Sequence, residues 1–134
     1  MTGTLVDTNV ILDVFTVDPV WWSWSSLNLD RCSDAGPIYI NPIIYAEVST
    51  RFYAIEQLEE ALPAEDFTRL DLPYEAAFLA GKAFLDYKKR GGSRTATLPD
   101  FFIGAHAAVL GLQLLTRDEA RFRTYFPTVK LISP

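Results

Sequence analysis

Cysteine, histidine and methionine occur once each in this chain of 134 residues. A lone Cys32 closes no intramolecular disulfide, which fits a reducing compartment and a fold that needs no covalent staple. We read it as a small buried hydrophobe. With one His and one Cys the chain offers no credible nucleophile triad, and His106, inside an apolar helical segment, reads as a packed or surface histidine. No apolar run approaches the roughly 20 residues of a membrane span. Met1-Thr2-Gly3 leads straight into a strand with no basic stretch, so no signal peptide is expected and the expected address is cytoplasmic. Gly91-Gly92 is followed by no Gly-Lys-Ser/Thr and is not a phosphate loop. Repeats, low-complexity tracts and linkers are absent, which points to one domain over residues 1–134.

What remains is globular in composition, at 49% hydrophobic and 22% charged residues, and long enough to bury about 70% of its unfolded surface. The net charge is −5, from 12 basic and 17 acidic residues. An acidic chain is a poor default partner for nucleic acid. The balance is uneven, however. Residues 87–99 carry Lys88, Lys89, Arg90 and Arg94 and no acid. Bound divalent cations would also offset much of the negative charge, so a nucleic-acid substrate stays open.

Helical and strand patterns alternate, which predicts an α/β fold with a mostly parallel sheet of four to five strands. Strands are expected at Thr4–Asp7, Ile38–Ile40, Thr68–Leu72, Leu112–Leu115 and Val129–Ile132. Helices are expected at Asn9–Phe15, Val20–Asp34, from Asn41-Pro42 to about Tyr53, Ile55–Leu62, Pro73–Arg90, Pro99–Leu110 and Asp118–Phe126. Asn41 suits a cap and Pro42 a first turn. Trp21, Trp22 and Trp24 cannot all face one way on a helix, because successive residues lie about 100° apart. At least one should be exposed or at an interface.

Four acids occupy apolar settings. Asp7 closes the first strand, Glu47 sits inside an uncharged helical stretch, Asp100 opens an apolar helix, and Asp118 follows the strand ending at Leu115. Taken singly, each has a bland explanation as a turn or cap residue, and Glu47 has Arg51 one turn away as a partner. Together they fall where one end of a parallel sheet would gather them. Converging carboxylates repel, and such groups serve to hold hard cations such as Mg²⁺ or Mn²⁺. Metal-assisted phosphodiester hydrolysis is the chemistry that uses them. Thr116, two residues before Asp118, should share its side of the strand, and Asn9 can bond to the turn after Asp7.

The segments Val6-Asp7-Thr8-Asn9-Val10, Tyr45-Ala46-Glu47-Val48, Pro99-Asp100-Phe101-Phe102-Ile103-Gly104-Ala105-His106-Ala107 and Leu115-Thr116-Arg117-Asp118 resemble the PIN-domain ribonucleases. Their order and the chain length resemble the VapC toxins of bacterial toxin–antitoxin pairs. The resemblance implies a three-layer α/β/α sandwich and endonucleolytic RNA cleavage dependent on Mg²⁺ or Mn²⁺. It assigns Asp7, Glu47, Asp100 and Asp118 to the family's acidic quartet, and Asn9 and Thr116 to its polar helpers. It implies a VapB-like antitoxin, a groove for its helix and a homodimer face. Gly104 stands where many relatives carry Ala, a small-for-small change. Arg94 and Arg90 are the candidates for contacting RNA phosphates.

Two other classes compete. An aspartate-based phosphotransfer or phosphatase domain would also place an Asp at a strand end. The phosphatase pattern wants a second Asp where Asn9 stands, and a receiver wants a lysine where the fourth segment offers Arg117. A non-catalytic binding module would keep the acids only as structural residues.

Overall fold

The computed structural model describes residues 3–92 and 98–134. Its elements are β1 (Thr4–Val6), α1 (Thr8–Phe15), α2 (Trp22–Ala35), β2 (Ile38–Ile40), α3 (Pro42–Ser49), α4 (Ile55–Ala61), β3 (Thr68–Arg69), α5 (Tyr74–Lys89), α6 (Leu98–Leu110), β4 (Gln113–Leu115), α7 (Glu119–Tyr125) and β5 (Leu131–Ile132). The strands form one sheet in the order β3-β2-β1-β4-β5, and every neighbouring pair is parallel. In register, Leu5 lies opposite Leu114 and Val6 opposite Leu115.

Every residue of β1 and of β4 is buried. Successive strand residues point to opposite faces, so both faces of the sheet centre are covered by helices. That is the α/β/α sandwich. The chain steps from β1 outward through β2 to β3, then returns to β4 on the other side of β1. Beside β1 and β4 the order reverses, and the crevice beyond the carboxyl ends of two such strands is where open α/β sheets bind ligands.

Local chemistry sets the boundaries. Asn41 Oδ1 accepts from the Ile44 amide at 2.9 Å and Pro42 takes the first helical turn, as expected of this pair. The helix stops at Ser49, short of Tyr53. The Ser49 and Thr50 hydroxyls donate back to the carbonyls of Ala46 at 2.6 Å and Glu47 at 2.8 Å, a competing use of backbone acceptors that helps end a helix. Strands β3 and β5 are each two residues long, shorter than their sequence patterns. Of the three tryptophans, Trp22 is 43% exposed, while Trp21 and Trp24 meet edge to face with centroids 6.1 Å apart. Cys32 and His106 are buried.

Gly104 is more constrained than its sequence suggests. A Cβ there would collide with the Phe126 ring and press on Phe122 at 3.0 Å. Both rings are buried and have little room to retreat.

Candidate active site

β1 delivers Asp7 to the crevice, and the Asp7 amide donates to the Leu115 carbonyl at 2.9 Å, extending the β1–β4 ladder by one bond. Asp7 Oδ2 accepts from Thr116 Oγ1 at 2.7 Å and from Asn9 Nδ2 at 3.2 Å. Thr116 Oγ1 in turn accepts from the Asp118 amide at 3.0 Å. One hydroxyl thus ties the Asp7 carboxylate to the chain that carries Asp118.

Asp7 is only 4% exposed. Burial is the main cause that pushes its pKa up to about 7; the charges of Asp100 and Glu47 add to this, while the Thr116 hydroxyl and the Thr8 amide work against it. Asp100 and Glu47 are thus each within electrostatic reach of Asp7. Glu47, half-buried on α3, accepts from Thr8 Oγ1 at 2.7 Å. No ion pair joins it to Arg51 among the described residues.

Asp100 lies in the first turn of α6. Burial raises its pKa, Arg121 opposes that and Asp118 adds to it. Arg121 Nη1 lies 2.5 Å from Asp100 Oδ2 and 3.7 Å from Asp118 Oδ2. Arg121 thus links the two acids that open α6 and precede α7. Among the described residues no three His, Cys, Asp or Glu side chains lie close enough to hold a metal ion together. The Arg121 guanidinium offsets the negative charge of Asp100 and Asp118. The donor set still suits a hard cation. It is all carboxylate, and the pKa of its most buried member, Asp7, is raised first by burial and further by the charges of Asp100 and Glu47.

The two arginines proposed for RNA fare differently. Arg90 pairs with Asp86 at 3.2 Å and lies over the Tyr125 ring at 5.4 Å. Arg94 lies outside the described residues. Three features escaped the sequence reading: the Thr8 donor to Glu47, the Arg121 bridge, and a bidentate pair of Arg117 with Asp13 at 2.6 and 2.9 Å. Asp13 is 2% exposed and also accepts from Ser25 Oγ at 2.7 Å. Arg117 lies over the Trp21 ring at 5.1 Å. This pair fastens the Thr116–Asp118 segment to α1 and α2. A lone charge within Val10-Ile11-Leu12-Asp13-Val14-Phe15 was the available signal.

The profile of the PIN domain matches residues 4–126. The chain belongs to the PIN-domain family. PIN-domain proteins of the VapC type are nucleases. The fold is close to that of several solved structures. A chain of VapBC2 from Rickettsia felis, solved bound to a DNA fragment from its promoter, matches with a TM-score of 0.75 at 18% identity, with 98% of each chain covered. VapBC-1 from nontypeable Haemophilus influenzae gives 0.74 at 22% identity and 98% coverage of each chain. A toxin–antitoxin complex from Klebsiella pneumoniae gives 0.67 at 24% identity and 94% of each chain. No curated protein sequence matches this PIN chain. Among the described residues of the PIN fold, no helix is long and apolar enough to cross a membrane.

Proposed function

We propose that the chain is a metal-dependent endoribonuclease and the toxin of a type II toxin–antitoxin pair. The observation that carries this reading is the buried Asp7 carboxylate at the end of β1, held by the Thr116 hydroxyl, which in turn accepts from the amide of Asp118 past the end of β4. Membership of a nuclease family supports the reaction class. Fold likeness to VapBC structures supports the toxin reading.

Asp7, Asp100, Asp118 and Glu47 would hold Mg²⁺ or Mn²⁺. A bound ion of this kind supplies the charge that acidifies water and offsets charge on the phosphate. The chain's own residues prepare the carboxylates. Thr116 Oγ1 and Asn9 Nδ2 hold Asp7 Oδ2 and favour its charged form. Thr8 Oγ1 holds Glu47 Oε1. Polar partners that fix ligand orientation in this way typically matter 10–100-fold for affinity or activity, at about that order. Arg90 and Arg94 would contact RNA phosphates, and recognition of structured RNA would depend on loop shape.

The implied partners are RNA, a VapB-like antitoxin and a second copy of the chain, at a cytoplasmic address. The exposed apolar residues Phe15, Val17, Val20 and Trp22, grouped in the α1–α2 region, supply a surface that an antitoxin helix would cover. The test is cleavage of cellular RNA by the purified chain in Mg²⁺ or Mn²⁺ against EDTA. Cleavage only with metal is expected; equal cleavage in EDTA would sink the reading.

A further inference from the structure

Arg121 provides the only ion-pair partner of the four acids among the described residues. It sits one turn beyond Asp118 on α7 and bridges Asp118 to Asp100. Its guanidinium lies over the Tyr87 ring at 5.8 Å. Tyr87 is itself fixed against Phe101, the residue after Asp100, at 5.4 Å, and against Tyr125 of α7 at 5.9 Å. The guanidinium is thus aimed at Asp100 by an aromatic support as well as by charge.

We infer that Arg121 is a built-in rival of the divalent cation. Rather than adding to the site, the cation enters by exchange with the guanidinium on Asp100 Oδ2. The inference rests on the metal reading of the acids. A Mg²⁺ ion takes its oxygen ligands at about 2.0–2.1 Å. Arg121 Nη1 already occupies a lone pair of Asp100 Oδ2 at 2.5 Å, and a fixed positive charge beside a dication is repulsive. An arginine side chain leaves by rotamer change alone, and Arg121 is 24% exposed, so no backbone movement is required. The consequence is a site that keeps its acids partly neutralised without metal and binds metal more weakly than the same carboxylates would without the arginine.

The test is calorimetric titration of Mn²⁺ into the wild-type chain, Arg121→Gln and, as a control on the same helix, Arg123→Gln, whose partner is Glu119. Arg121→Gln should bind Mn²⁺ about tenfold tighter, and Arg123→Gln should match wild type. A folded Arg121→Gln that binds no tighter overturns the inference. Should that variant fail to fold, the wild-type chain decides: saturating Mg²⁺ should shift the Arg121 guanidinium nitrogen resonance, and a signal that does not move overturns the inference. If neither wild type nor Arg121→Gln binds Mn²⁺, the metal reading itself fails and takes the inference with it.

Discussion

Thr116 Oγ1 donates to Asp7 Oδ2 at 2.7 Å across 109 residues of sequence, and the same oxygen accepts the Asp118 amide at 3.0 Å. The hydroxyl therefore spends its one proton on Asp7 while a backbone amide donor fixes its orientation. Thr116→Val keeps the shape and removes the donor. It should cost about 1–2 kcal/mol of stability through the unmade bond and roughly tenfold in RNA cleavage through loss of orientation. Urea unfolding and a cleavage time course measure the two separately.

The buried Asp7 makes metal-free stability depend on pH in an unusual direction for a carboxylate. Its folded pKa of about 7 lies above the unfolded value of 3.8, so between those values the folded state binds more protons. The stability linked to Asp7 is complete below about pH 4 and is lost as pH rises through about 7, by up to ~4 kcal/mol. Asp7→Asn removes this titration. In metal-free buffer the variant should gain on wild type steadily from pH 4 to 8. Parallel stability curves for the two would refute the assignment.

The Arg117–Asp13 pair gives an asymmetric expectation. Asp13→Ala strands a partly buried guanidinium and should cost about 3–5 kcal/mol, whereas the double change Asp13→Leu with Arg117→Met should cost far less. A double-mutant cycle by chemical denaturation distinguishes this from independent surface effects.

Gly104→Ala should destabilise the fold despite the better helix propensity of alanine. The gain of about 1 kcal/mol from propensity is opposed by overpacking against Phe126 and Phe122, which costs about 1–3 kcal/mol. We expect a net loss, measured as a lower Tm, with a smaller loss in the background Phe126→Leu.

The sheet and most helices were legible because short apolar runs alternate with helical spacing and because Gly, Pro and Asn mark the ends. The places of Asp7 and Asp118 past the ends of β1 and β4 were legible for a related reason: a charge closing an apolar strand is conspicuous. The early end of α3 was not, since the back-bonding of Ser49 and Thr50 looks no different in sequence from ordinary helix surface. Arg121 escaped because its role is tertiary: it lies on a charged helix with Asp118 one turn away as a sufficient local partner, and only the approach of α6 brings Asp100 to it. Asp13 is the instructive miss. The rule that a charge among apolar neighbours needs a partner drew attention to Glu47, which is half-buried, and applies with more force to Asp13, which is almost fully so. Rules of local setting locate such charges but do not say whether the partner will be a cation in solution or an arginine of the same chain.

The most direct measurement is single-turnover RNA cleavage by wild type, Asp7→Asn and Asp100→Asn in Mg²⁺, each first shown to be folded. We expect both variants to lose at least about a hundredfold, the scale on which metal-assisted catalysis depends on its ligands, while still binding RNA. Cleavage by Asp7→Asn at the wild-type rate would contradict a reaction centred on these acids.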